Sequence, residues 1–343
     1  MALDAPVWNG MPSSKLVSIW QRSARKQVRT LAKAGEQATR QWAKAVAAAN
    51  APPPGQGDWL PGMTLGPAGL RAWRLFRPAA ARPRQRLPML VMLHGCGQDA
   101  REFALSTGMN RIAAREGFLV LYPEQDRRAH PQGCWNWYDT RSGQALAEAA
   151  TLVAAIEQAA LLYGADRGRL AVAGLSAGAS MAALLGVRQP GLFRAVAMHS
   201  GVPPGVARSS GTAVRAMLGL GRAGPVPVGP MLLAAEPLPP LLVLHGSADA
   251  VVSSRNAAAA AELWAQAAGA RLCKPREVRR GQRHAMQVTD YKCGRRTVAT
   301  LCEVQGLGHA WSGGDARQRF SDPVGPDASR LVWRFVRSQF EAG

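Results

Sequence analysis

A mostly parallel β-sheet covered by helices on both faces is the fold class that this chain of 343 residues predicts. Three observations lead there. Short apolar runs alternate with helical stretches from about residue 70 to 340, one run breaks at a glycine-serine string, and two later runs end in loops bearing an Asp and a His. Such alternation is the pattern of an α/β domain whose strands are buried on both faces. In chain order, strands are expected at 72–76, 89–93, 118–122, 170–173, 195–199 and 241–244, with further strands around 286–304. Helices are expected at 102–116, 146–163, 177–188 and 256–268, with a closing helix at 328–340. The length of this region is ample for a buried sheet.

The most informative string is Gly174-Leu175-Ser176-Ala177-Gly178, which directly follows the apolar run Leu170-Ala171-Val172-Ala173. A buried strand that breaks at Gly-x-Ser-x-Gly and re-enters a helix places a serine oxygen at the head of the sheet of an α/β-hydrolase. Strand and helix pack closely at such an elbow, so the positions two residues to either side of the serine must be small. The Ala- and Leu-rich stretch after Ser176 supplies the helix.

A serine hydroxyl becomes a useful nucleophile when an imidazole takes its proton and a carboxylate holds that imidazole in one tautomer. In this fold the order is Ser, acid, His. Pro240-Leu241-Leu242-Val243-Leu244 leads into His245-Gly246-Ser247-Ala248-Asp249, so Asp249 falls just past a strand. Residues 297–304 lead into Gly306-Leu307-Gly308-His309, which puts His309 in the same kind of place. Ordinarily an Asp after a strand is a turn residue or a cap, and one His of six is a packing residue. Order and place together select Ser176, Asp249 and His309. The rival bases are His94, His199 and His245; His94 and His245 precede glycines and suit turn and packing roles.

Acyl transfer also needs two donors for the developing oxyanion. One is the amide of Ala177, next to the serine. The other should come from the loop after an earlier strand. Pro88-Met89-Leu90-Val91-Met92-Leu93 followed by His94-Gly95-Cys96-Gly97-Gln98 supplies it, and the Cys96 amide is the candidate.

These residues carry a resemblance to the poly(3-hydroxybutyrate) depolymerase family of esterases, which is related to feruloyl and acetylxylan esterases. The matching strings are LHGCGQ from Leu93, YPEQ from Tyr122, GCWNW from Gly133, GLSAG from Gly174, HGSAD from His245 and GLGHAWSGG from Gly306. The resemblance implies hydrolysis of polyester or of aryl and acetyl esters by a Ser-Asp-His triad, with no metal and no cofactor. It carries those roles onto Ser176, Asp249 and His309, and the oxyanion donors onto Cys96 and Ala177. Two substrate classes stay open: a polyhydroxyalkanoate chain or its oligomers, and a feruloyl, acetyl or small aryl ester. A binding or granule-coat protein with a weakly active core is the third reading, against which the intact triad positions argue. Trp135, Trp137 and Trp311 fall in the matching strings and are expected to line the cleft, because an apolar wall suits hydroxyalkanoate units. Each is also an ordinary packing residue.

Residues 1–57 stand apart as a basic segment and linker preceding the hydrolase domain at 58–343. Leu16, Trp20, Ala24, Val28, Leu31, Ala38, Trp42 and Val46 recur at steps of three and four, with Lys15, Arg22, Arg25, Lys26, Arg29, Lys33, Arg40 and Lys44 largely off that line. This predicts a basic amphipathic helix, ended by Ala51-Pro52-Pro53-Pro54-Gly55. It suits packing on the core, solvent, or a granule or other anionic surface. The net charge of +20 reflects 36 arginines and 6 lysines against 22 acidic residues, and the arginines are spread along the whole chain, which argues against a focused nucleic-acid groove. Residues 203–239 turn to Gly, Pro, Ala and Met and read as either a lid or a surface insertion. The N-terminus lacks a signal-peptide apolar core, and no window is expected to span a bilayer, which together favour the cytoplasm. The five cysteines, Cys96, Cys134, Cys273, Cys293 and Cys302, keep secretion open. Their pairing is not legible, although Cys96 and Cys134 lie in two of the matching strings.

Overall fold

The computed structural model describes residues 26, 29–30, 32–43, 51–82, 84–221 and 237–342. The chain divides into two compact units, Met1–Pro52 and Pro53–Gly343. In the first, residues 32–43 are helical (α1); most of the expected amphipathic run lies outside the described residues.

The second unit is built on one large sheet. Its strands are β1 (Gly57–Gly66), β2 (Gly69–Pro78), β3 (Leu87–Leu93), β4 (Leu119–Pro123), β5 (Ala165–Leu175), β6 (Ala195–His199), β7 (Leu241–Gly246), β8 (Arg271–Leu272), β9 (Arg276–Val278), β10 (Met286–Cys293) and β11 (Arg296–Val304). They lie in the order β1-β2-β4-β3-β5-β6-β7-β11-β10-β8, with β9 also on β10. From β4 through β11 neighbours run parallel, while β1, β2 and β10 pair antiparallel at the flanks. Two short strands, β12 (Trp311–Ser312) and β13 (Ser321–Asp322), pair separately.

The central strands are buried on both faces, and their side chains alternate between two cores. Met89, Val91 and Leu93 of β3 meet α4 (Gln144–Tyr163), α5 (Ala177–Arg188) and α7 (Arg255–Ala267). Leu90 and Met92 meet α2 (Ala100–Thr107), α3 (Met109–Glu116) and α8 (Ala328–Glu341). Each such fully buried aliphatic side chain contributes about 1.5–3 kcal/mol. This is the α/β-hydrolase architecture expected, with two local differences. The helix expected over 102–116 breaks at Gly108, whose φ of 61° ends α2 and starts α3. The edge strand β1 was not expected.

One expectation needs correction. The 20-residue helix α4 is long and apolar enough to cross a bilayer by length and composition, with a mean hydropathy of 1.5. It covers the sheet instead: Leu152, Ala155, Ile156 and Ala159 are fully buried in the core, and so is Glu148. The region at 203–239 contains α6 (Ser210–Met217), packed through Ala213 and Ala216 on Val202, Ala207 and Val252. The rest of the stretch read as a lid or surface insertion, residues 222–236, lies outside the described residues.

Candidate active site

Four of the residues singled out from the sequence sit just beyond the carboxyl ends of parallel strands: Cys96 after β3, Ser176 after β5, Asp249 after β7 and His309 after β11. Ser176 adopts φ 55°, ψ −121°, backbone that an L-residue occupies only when its surroundings impose it. They do so through main chain packed on main chain. A Cβ on Gly178 would overlap the carbonyl oxygens of Leu93 and His94, and one on Gly174 would overlap Gly178 itself. The Ser176 amide donates to the His199 carbonyl at 2.8 Å, which ties the elbow to β6.

The other two residues arrive on loops that are bonded together. The Ser247 amide donates to Val304 at 2.9 Å, Ala248 to Leu307 at 3.0 Å, and Gly306 to the Ser247 hydroxyl at 2.9 Å. His309 Nε2 then lies 3.0 Å from Ser176 Oγ, and its Nδ1 lies 2.8 Å from Asp249 Oδ2. With Nδ1–H donating to the carboxylate, Nε2 is left to accept the serine proton.

Asp249 has a buried side chain and is held ionised. Burial pushes its pKa up, but hydrogen bonds from His245, His309 and the Val252 amide outweigh burial and hold it well below the ordinary carboxylate range. Its second oxygen accepts from the amides of Val251 and Val252 at 2.9 and 2.8 Å. His245 packs behind it, with Nε2 3.4 Å from Asp249 Oδ2 and 2.8 Å from the Val252 carbonyl. His245 therefore supports the acid rather than serving as an alternative base.

His199 and His94 are buried neutral imidazoles with structural bonds. Burial, reinforced by His245 and His309, lowers the His199 pKa to about 3. Its Nε2 accepts the Ser312 amide at 3.1 Å, its Nδ1 meets Ser200 Oγ at 3.2 Å, and its ring stacks on Trp311 with centroids 5.0 Å apart. Through its carbonyl and its ring, His199 joins the serine elbow to the loop carrying His309. Burial lowers the His94 pKa to about 4. Its Nε2 accepts the Gln125 amide at 3.1 Å, and its carbonyl accepts from Trp135 Nε1 at 3.0 Å.

A cavity of about 260 Å³ opens over Ser176, lined by Cys96, Ala177, Ser180, Trp135, Trp137 and residues of α6 among others. A disulfide links Cys96 to Cys134, joining the loop after β3 to the tryptophan-bearing loop. The thiols of Cys273, Cys293 and Cys302 are free. Beneath the second loop, buried Glu148 accepts from Gln125 Nε2 at 2.8 Å, Asn136 Nδ2 at 2.7 Å and the Asn136 amide at 3.0 Å. Buried Arg71 bonds Gln125 Oε1 and sits 5.8 Å from the Trp135 ring centroid. Arg71, Gln125 and Glu148 were not anticipated; the YPEQ string holding Gln125 was the available signal.

Trp135 and Trp137 line the cavity, but Trp311 does not. It is fully buried in the opposite core, edge-on to Phe103 and bonded through Nε1 to Ser329 Oγ at 3.0 Å. Pairing of β12 with β13 sets the direction of its side chain, and this long-range contact leaves no mark near residue 311 in the sequence.

Fold and site together define an α/β-hydrolase with a nucleophile-elbow serine. Over residues 71–274 the chain matches the Esterase PHB depolymerase family, and it belongs to that family. It is 28% identical over 191 residues to poly(3-hydroxyalkanoate) depolymerase C of Paucimonas lemoignei, covering 53% of this chain and 45% of that protein. It is 26% identical over 192 residues to probable acetylxylan esterase A of Aspergillus fumigatus, covering 52% and 50% respectively. The chain thus spans about half the length of these curated relatives. An acetyl xylan esterase from Aspergillus awamori superposes with a TM-score of 0.56 at 18% identity, over 74% of this chain and 94% of that one, a likeness of fold.

Proposed function

We propose that the protein is a serine esterase acting through an acyl-enzyme, with a polyhydroxyalkanoate chain or its oligomers as substrate. The observation that carries the chemistry is the linear contact from Ser176 Oγ through His309 to Asp249. Ser176 Oγ attacks the ester carbonyl while its proton passes to His309 Nε2. Asp249 stabilises the imidazolium, and the amides of Cys96 and Ala177 hold the oxyanion. His309 then gives the proton to the leaving alcohol, and a water activated at the same nitrogen releases the acid.

An apolar collar favours the polymer. Val214 lines the cavity at 60% exposure, and Leu218 and Val251, next in the chain to the lining residues Met217 and Val252, are about half exposed. Unpaired apolar area around a cleft mouth suits an insoluble apolar substrate. The size of the cavity, about 260 Å³, favours a second reading, a feruloyl, acetyl or small aryl ester. Release of 3-hydroxybutyrate from amorphous polymer is the deciding measurement. We expect it to fall by roughly 10⁴-fold or more in Ser176→Ala with the fold intact. Cleavage of feruloyl or p-nitrophenyl acetate esters with no release from polymer would transfer the assignment to the second class.

Two further parts of the reading concern setting. The Cys96–Cys134 disulfide supports an oxidising compartment, and the cytoplasmic expectation has no comparable support. The basic segment at 1–50 is proposed to hold the enzyme on a granule or other anionic surface. Unchanged co-sedimentation with polymer granules after its deletion would rule that out.

A further inference from the structure

A second cavity, of about 440 Å³, shares no lining residue with the one over Ser176. Its walls come from α3, the segment between β9 and β10, and the first turns of α8. Six of the residues lining it are arginines, Arg115, Arg280, Arg283, Arg330, Arg334 and Arg337, against the two carboxylates Glu116 and Asp327. Charge on this wall is therefore strongly uncompensated. Arg115 and Arg337 share Glu116 at 3.1 and 3.3 Å, and Arg330 pairs with Asp327 at 3.2 Å. Arg283 is turned onto the carbonyl of Gly325. Arg280 and Arg334 have no ion pair among the described residues. The floor is apolar, formed by Ile112, Met286 and Trp333, all buried.

Guanidinium groups are planar forks that match carboxylate and phosphate oxygens, and a concave wall of one sign concentrates their field. An apolar floor beneath them adds a requirement that a bare inorganic anion does not meet. We propose that this cavity is a binding site for an amphiphilic anion, one carboxylate or phosphate head on an apolar acyl or aryl body. Arg280 and Arg334 receive the head, and the floor around Trp333 takes the body. Of the acids that ester hydrolysis would release, a hydroxyalkanoate oligomer or an aryl acid belongs to this chemical class. That link alone rests on the esterase reading; the binding itself does not.

Calorimetric titration of the full chain with decanoate, decyl phosphate, decanol and inorganic phosphate tests the site, using Ser176→Ala so that catalysis plays no part. Decanoate or decyl phosphate is expected to bind, and to bind at least tenfold more weakly in Arg280→Ala/Arg334→Ala. Decanol and inorganic phosphate are expected to bind far more weakly than either. Which of the two amphiphiles binds tighter identifies the head group. In the wild-type chain, capping Ser176 with an organophosphonate must leave the binding in place. Loss of binding on capping, no effect of the double substitution, or inorganic phosphate binding as tightly as the amphiphiles would each overturn the proposal. Because the two arginines are exposed, an unchanged circular dichroism spectrum is expected of the double variant.

Discussion

Around Ser176 the chain is held by main chain pressed on main chain, whereas around Asp249 and His309 it is held by buried polar bonds. On the first side the strand β5 and the helix α5 meet with no room for a Cβ at Gly174 or Gly178. On the second side, loops after β7 and β11 are linked by amide bonds, and two buried histidines close the arrangement. The contrast teaches that shape fixes the nucleophile while electrostatics fixes the base. Damage to the two sides should therefore read out differently, one in folding and the other in rate.

Asp249→Asn separates the two most sharply. The amide keeps the size but holds His309 in the wrong tautomer, so kcat should drop by about 10⁴-fold, far more than the accompanying loss of folded protein explains. Steady-state kinetics on the folded variant beside a thermal melt would show this, and an activity loss no larger than the loss of folded protein would contradict it. Gly178→Ala is the opposite break. The added methyl meets the Leu93 carbonyl, so the expected outcome is a loss of about 3 kcal/mol or more in denaturant unfolding, with activity falling as the folded fraction falls.

His199→Phe probes the joint between the two sides. It keeps a ring against Trp311 but leaves the buried Ser312 amide without its acceptor. We expect about a tenfold fall in kcat with KM nearly unchanged, and a stability loss of about 1–3 kcal/mol. A fall in stability alone would make the residue purely structural.

The smallest effect is on acid stability. His94 and His199 are depressed to about 4 and about 3, so below about pH 6.5 an unfolded chain takes up protons that the folded one refuses. Stability is thus complete above that pH and declines as pH falls toward the folded values. Asp249 adds to the decline at the acid end, because its folded pKa is also depressed and the unfolded carboxylate is protonated first. Melting temperature should fall steadily between pH 6.5 and 4, and less steeply in His199→Phe.

What the sequence made legible follows the same division. Central strands such as 89–93 and 170–173 are unbroken apolar runs because both faces are buried, and the elbow announces itself because only glycine fits beside it. The edge strand β1 was illegible. It carries two internal residues, Pro61 and Gly62, that disfavour strands, and Gly62 is there because Trp73 packs across it. Trp311 was misplaced for a related reason. Proximity to His309 in sequence does not say which core a side chain enters, and its neighbours Phe103 and Ser329 come from distant helices. The buried polar residues His199, His245 and Glu148 look like ordinary strand-end and helix sequence until the fold brings them beside the triad and the tryptophan-bearing loop.

The backbone of Ser176 has a thermodynamic consequence for the whole molecule. At φ 55° a glycine would rest more comfortably than a serine, so the chain forgoes roughly 1 kcal/mol of heat resistance at its most indispensable position. The protein is, at that one residue, less durable than its own fold permits, and the difference is the hydroxyl it keeps in return.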